Sequence, residues 1–223
     1  MPRTNTTTRS NFTRTKNVTY LLPSPPGSSS VITITLPPSS DWTSGLHWHE
    51  THTEYLSVIR GVALITLSNT TKRCTPSDGI IVVPRYARHE WRRAEAKGEE
   101  LVVREWTDPA DGLKEVFFRN LSSVIEDEVK VTDGRARGWW LELQIWVVCL
   151  AMDNFPVFVE FQWIPLLGNF LEGLVTHFVF CIAALVGALL SLKGVYEEYT
   201  PQPLLQQSLK PRGREYDDVI KGE

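Results

Sequence analysis

Apolar and polar positions alternate along much of the chain between residues 31 and 107, and the period changes after that. Val31 to Leu36, Glu54 to Ile59 and Val62 to Leu67 alternate as strands with one buried face do. Arg60-Gly61 separates the last two as a tight turn would. Ser77-Asp78-Gly79 precedes the apolar run Ile80 to Val83, which stops at Pro84. His89 to Arg93 and Glu100 to Trp106 bring the count to at least six strands with regular turns. Residues 31–107 therefore predict a small antiparallel barrel or jelly roll.

From Asp108-Pro109 the spacing becomes helical. Leu113, Val116, Phe117, Leu121, Val124 and Ile125 would form one apolar face packed on the outside of the barrel. Glu126 to Gly134 reads as a solvated stretch, so 108–137 is expected to be a helix and linker. Within 138–192 only Glu142, Asp153, Glu160 and Glu172 are charged, and Gly173 to Leu192 has no charge at all. A helix of that length covers about the 30 Å hydrocarbon core of a bilayer, which makes 173–192 a candidate transmembrane helix. Ala183 with Gly187, and Ala184 with Ala188, permit close helix packing in lipid. Trp139 to Met152 is too short for an ordinary span and reads as a re-entrant or interfacial segment. A buried core helix is the competing reading of this hydrophobic region. Basic residues on both outer flanks, Arg135 and Arg137 before and Lys193 after, fit an intracellular membrane with the barrel facing the cytoplasm. A soluble cytoplasmic protein is the alternative. Residues 1–30, Thr- and Ser-rich with four basic residues and no acid, read as a disordered basic arm, and 193–223 as a polar tail.

Composition narrows the function classes. With 42% hydrophobic and 22% charged residues, the 223-residue chain has the make-up of a folded protein. A net charge of -3 lacks the basic field that nucleic-acid binders use, so no nucleic-acid partner is expected. Cys74, Cys149 and Cys181 are three in number and widely spaced, which suits neither a disulfide framework nor a cysteine zinc site. Four of the five histidines, His47, His49, His52 and His89, fall inside the β region. In a strand His47 and His49 share a face, about 7 Å apart at the backbone, within reach of one ion. Glu54 could add a carboxylate oxygen and a facing strand a third imidazole, a donor set suited to one divalent transition metal ion: Fe, Mn, Ni, Cu or Zn. Glu50 and His52 could be acid/base groups beside that ion, or part of a solvated turn.

These residues resemble the cupin superfamily. Gly45, His47, His49, Glu54 and Gly61 match its first motif, with a shortened spacer after Gly45. Gly79, Pro84 and His89 match the second, with Tyr86 in place of its second glycine and Arg93 where an asparagine is common. The resemblance covers residues 31–107 and implies a mainly β, cupin-type jelly-roll barrel; the α-helical, membrane-associated C-terminal region that follows it is read from the apolar stretch alone. It also implies His47, His49, Glu54 and His89 as metal ligands. A metal-dependent enzyme acting on a small organic molecule, an oxygenase or a lyase/isomerase, follows; a non-catalytic membrane-attached ligand-binding or interaction protein is the alternative. Strand alternation from His89 points Trp91 and Arg93 inward, as an aromatic wall and an anion clamp for substrate. Only one set of motifs is present, and single cupins often pair through their sheets, so a homodimer is a further expectation. Small stand-alone cupins of this kind are common in fungal natural-product pathways, which implies secondary-metabolite biosynthesis. No phosphate loop or dinucleotide fingerprint appears, so no organic cofactor is implied.

Overall fold

The computed structural model describes residues 3–131, 138–164 and 167–208. Two antiparallel sheets enclose the core. The strands are β1 (Asn11–Thr13), β2 (Thr19–Leu21), β3 (Ile32–Leu36), β4 (His47–Trp48), β5 (Thr53–Arg60) and β6 (Ala63–Leu67). They continue with β7 (Thr70–Cys74), β8 (Ile80–Val83), β9 (His89–Arg93), β10 (Leu101–Asp108) and, between helices, β11 (Phe155–Pro156). One sheet runs β1-β2-β3-β10-β5-β8 and the other β11-β4-β9-β6-β7. Ile32, Ile34, Leu36, Leu56, Val58, Leu101 and Val103 fill the interior from the first sheet, and Ala63, Ile65 and Trp91 from the second. Gly61 turns β5 into β6 at φ 77°, and a Cβ there would stand 2.7 Å from the Glu100 carbonyl oxygen, so only glycine fits. β7 escapes a hydrophobicity pattern because four of its five residues are exposed; it is a polar edge strand.

The helices are α1 (Leu113–Val131), α2 (Gly138–Ala151), α3 (Gly168–Leu189) and α4 (Gln202–Ser208). The expected face of α1 is buried, but so is its polar side. Ser123 bonds Thr6 at 2.7 Å, Asp127 takes the Thr4 amide at 2.9 Å, and Arg119 donates to the Arg9 carbonyl at 2.6 Å. From the other end of the chain Tyr199 donates to Asp127 at 2.6 Å, and the Asn120 amide donates to Thr200 at 2.9 Å.

Three expectations are thereby corrected. The first 30 residues are no disordered arm. β1 and β2 pair with each other, β2 pairs with β3, and Phe12, Val18 and Tyr20 are 0% exposed. Their apolar residues are few, but Phe12, Val18, Tyr20 and Leu22 are buried, and Thr4, Thr6 and Arg9 find partners on α1. Of the expected linker, Glu126 to Val131 is helical, and 132–137 lies outside the described residues. Of the expected polar tail, Tyr196, Tyr199, Leu204 and Leu205 are core residues; 209–223 lies outside the described residues.

α3 is the one helix among the described residues long and apolar enough to cross a membrane, by length and composition, with a mean hydropathy of 1.9 over its best 18-residue window. Its Glu172, Thr176, Phe180, Ala183 and Gly187 form a buried stripe. Of the small residues expected to permit close helix packing, Ala183 and Gly187 are buried, and a Cβ on Gly187 would stand 2.8 Å from Val147 of α2, whereas Ala184 and Ala188 are exposed. Arg88, just before β9, donates to Glu172 at 2.7 Å and ties α3 to the barrel.

Candidate metal centre

β4 and β9 pair with His47 directly opposite His89, and β5 brings Glu54 across from the other sheet. His49 follows β4. The ligand-type atoms of His47, His49, Glu54 and His89, all buried, lie within 4.8 Å of one another. The cupin resemblance implied this set, and the structure brings it together.

Each imidazole is oriented from behind. His47 Nδ1 donates to the Gly45 carbonyl at 2.7 Å, His89 Nδ1 to Ala87 at 3.0 Å, and His49 Nδ1 to Asp153 at 2.6 Å. A proton fixed on Nδ1 leaves the Nε2 lone pair facing inward, as metal-binding imidazoles require. His89 Nε2 is buried and makes no hydrogen bond, although Glu54 Oε1 lies 3.3 Å away; His49 Nε2 stands 3.0 Å from Glu54 Oε2. Two donors about 2.1 Å from one ion at right angles would be about 3.0 Å apart, so the donors fit a transition metal. Burial, with the neighbouring imidazoles, pushes the His47 pKa well below its usual value, and burial lowers that of His49. Both rings are therefore neutral and able to coordinate.

Sequence reasoning missed Lys114. From the first turn of α1 it reaches into the barrel and pairs with Glu54 and, at 3.1 Å, with Glu105. Burial alone would raise the Glu54 carboxyl, but Lys114 and His89 hold it well below the ordinary range, so it is ionised. Glu105 is pushed upward by burial despite the same lysine. A readable signal existed: Lys114 shares a helical face with Phe117, Phe118 and Leu121, an apolar stripe in which a charge needs a partner.

The turn from His49 to Glu54 is solvated only in part: Thr51 is exposed, whereas His52 turns inward. His52 is buried between Asp153, 2.7 Å from Nδ1, and Asp111, 3.1 Å from Nε2. The Asp153 carboxylate also accepts from the Glu50 and Thr51 amides at 2.9 and 3.0 Å. His52 thus locks the loop carrying His49 and does not face the four donors. Tyr86 adopts φ 64°, so it keeps the left-handed turn of the glycine it replaces, and its amide donates to the His49 carbonyl at 2.6 Å.

The expected substrate residues sit elsewhere. Arg93 gives its guanidinium to the carbonyls of Leu36, Glu95 and Glu99 at 2.8–3.1 Å, which leaves no anion clamp. Trp91 is 1% exposed, packs on Trp42 and donates to Glu105 at 3.3 Å; it is core.

No family model matches the chain. It is 30% identical over 162 residues, 71% of its length and 68% of the relative's, to the probable oxidoreductase virH of Hypocrea virens (strain Gv29-8 / FGSC 10586). Similar solved structures include the capsular polysaccharide assembling protein CapF of Staphylococcus aureus, at 17% identity and TM-score 0.36 over 44% of this chain and 29% of that one. A predicted oxalate decarboxylase of Thermotoga maritima gives 17% and 0.33 over 40% and 76%. KdgF of Halomonas sp. gives 20% and 0.29 over 34% and 67%. Sequence shared with virH over two thirds of that protein, and motif histidines and glutamate that meet inside a two-sheet β core, make this chain a member of virH's family within the cupin superfamily.

Proposed function

We propose that this chain is a metal-dependent cupin oxidoreductase acting on a small organic molecule, with His47, His49, Glu54 and His89 holding one divalent transition ion. The observation that carries the reading is the set of four buried donors, three of them imidazoles whose Nδ1 protons are held by backbone carbonyls. Three nitrogens and one carboxylate oxygen suit Fe, Mn, Ni, Cu or Zn. Such an ion, when bound, supplies Lewis acidity toward a substrate oxygen or a redox centre. The chain's own part is to keep the rings neutral and oriented, to keep Glu54 ionised through Lys114, and to exclude water with α1 and α2. The name of virH, a probable oxidoreductase, favours redox chemistry over a lyase or isomerase reaction. A place in secondary-metabolite biosynthesis belongs to the same proposal. The test is metal analysis of the purified protein beside His49→Ala, followed by oxygen uptake with candidate substrates. One equivalent of metal is expected in the wild type and a strong loss in the variant; equal metal in both would end the reading.

Attachment to an intracellular membrane, with the barrel on the cytoplasmic side, is a second part of the proposal. Opposite its buried stripe α3 exposes Phe170, Leu174, Phe178, Ile182, Leu185 and Leu189, at 47–85%. That continuous apolar stripe, beside exposed Trp163, suits a helix lying in the plane of the lipid interface, since its other face is committed to the protein.

A further inference from the structure

A cavity of about 230 Å³ lies between the barrel and the helices, and of the four clustered donors it touches only His47. Trp42, Phe117 and Trp146 give it aromatic walls, with Ile145 and Cys149 from α2 closing one side. Its charges are unevenly compensated. Lys114 pairs with Glu105 and with Glu54, which lies outside the cavity lining. Arg14, from the segment between β1 and β2, has its guanidinium over the Tyr20 ring at 4.4 Å, and its buried Nη1 has no hydrogen-bond partner among the described residues. A buried charged donor left unpaired is costly; an apolar ligand would leave it so, and a neutral oxygen would accept its hydrogen bond without compensating its charge.

We propose that this cavity binds a small aromatic acid: a single ring among Trp42, Phe117 and Trp146, with a carboxylate on Arg14. Size supports one ring, because an apolar cavity of about 150 Å³ holds benzene, and 230 Å³ adds room for an acid group and a small substituent. Flat aromatic walls favour a ring over a chain, and the unpartnered Nη1 of Arg14 offers a charged donor to a carboxylate. The proposal names the substrate class of the site described above and rests on the enzyme reading only for what happens at the ion. Binding itself needs no metal.

The experiment is calorimetric titration of EDTA-treated and metal-loaded full-length protein with benzoate and with benzyl alcohol. Benzoate is expected to bind the metal-free chain once, at least tenfold more tightly than benzyl alcohol. Arg14→Met should remove that preference and leave benzyl alcohol binding within about threefold, and Arg14→Lys should restore part of it. Ile145→Trp, which fills the cavity without touching the charge, should abolish both and serves if Arg14→Met does not fold. Equal binding of the two probes, no binding of either, or an unchanged preference in Arg14→Met overturns the proposal, as does benzoate binding that appears only with metal. Benzoate binding to a protein that takes up no metal would sustain the cavity assignment while the enzyme reading fails.

Discussion

Replacing Asp153 by asparagine removes one charge from the point where the helical region holds the loop of the candidate metal site. Asp153 follows α2 at φ 56°, a conformation that asparagine tolerates, so the backbone is preserved. Its carboxylate gathers the Glu50 and Thr51 amides and His52 Nδ1 at 2.7–3.0 Å, with Asp153 and His52 exposed by only 2% and 4%. Hydrogen bonds to a charged acceptor contribute about 1.5 to 3 kcal/mol each, against about 1 for neutral ones. One amide oxygen cannot serve three donors, while Asp111 continues to hold the other His52 nitrogen. A loss of about 3 kcal/mol follows, a large share of the roughly 5 to 15 kcal/mol typical of a folded domain. The pH dependence has a definite sign. Burial would lower the His52 pKa, but Asp111 and Asp153 raise it from 6.5 to about 9. Stability from that shift is fully present below pH 6.5 and is lost as pH rises through about 9. Asp153 works the other way: burial would raise its pKa, but His52 and Thr51 hold it at about 2, down from 3.8, so its contribution is present above 3.8 and is lost as pH falls through 2. The difference between wild type and Asp153→Asn should therefore be widest between pH 4 and 6.5 and should narrow toward pH 9. Urea unfolding of metal-free protein at pH 6 and pH 9, followed by tryptophan fluorescence, measures it. A difference below about 1 kcal/mol at pH 6, or one that is the same at pH 9, refutes the reasoning.

Other outcomes follow from the packing. Deleting residues 2–25 removes Phe12, Val18, Tyr20 and Leu22 from the core; at about 1.5 to 3 kcal/mol each, this rivals a whole domain's stability. Circular dichroism of the shortened chain should show no cooperative melt. A chain ending at residue 137 lacks β11, which pairs β4, and the Asp153 carbonyl that orients His49. Its metal affinity should fall at least tenfold by competition with a chelator. Gly61→Ala forces a side chain into φ 77° against the Glu100 carbonyl and should cost about 1 to 3 kcal/mol in a denaturant melt. Leu174→Glu with Leu185→Glu alters exposed residues and should release the protein from phosphatidylcholine vesicles in a flotation assay without lowering its Tm; wild-type protein that does not float would remove the membrane part of the proposal.

Which parts of this molecule can be read from its sequence depends on how far each signal reaches. Strands with one buried face announce themselves locally: β3, β5, β6, β9 and β10 fall where alternation places them, and β8 where an apolar run stops at Pro84. His47, His49 and Glu54 are legible for the same reason, since short spacings fix the facing of each side chain, whereas His89, far along the chain, is assigned by the resemblance to the second cupin motif. The polar side of α1 is not legible, because Ser123, Asp127 and Asn120 find their partners 72 to 123 residues away, and no window of sequence distinguishes such residues from solvated ones. Arg93 shows a subtler limit. Alternation from His89 correctly turned it inward, yet period two gives the side of a sheet and not the depth within it. Depth is set by register: His89 lies opposite His47 and Leu67, whereas Arg93 lies opposite Ala63 at the other end of β9. Four residues of strand are about 13 Å, more than enough to move a guanidinium from a metal site to the carbonyls of Leu36 and Glu99. The unpaired cation that does reach the chamber, Arg14, comes from a segment whose composition hid its strands, and only the pairing of β2 with β3 carries it there.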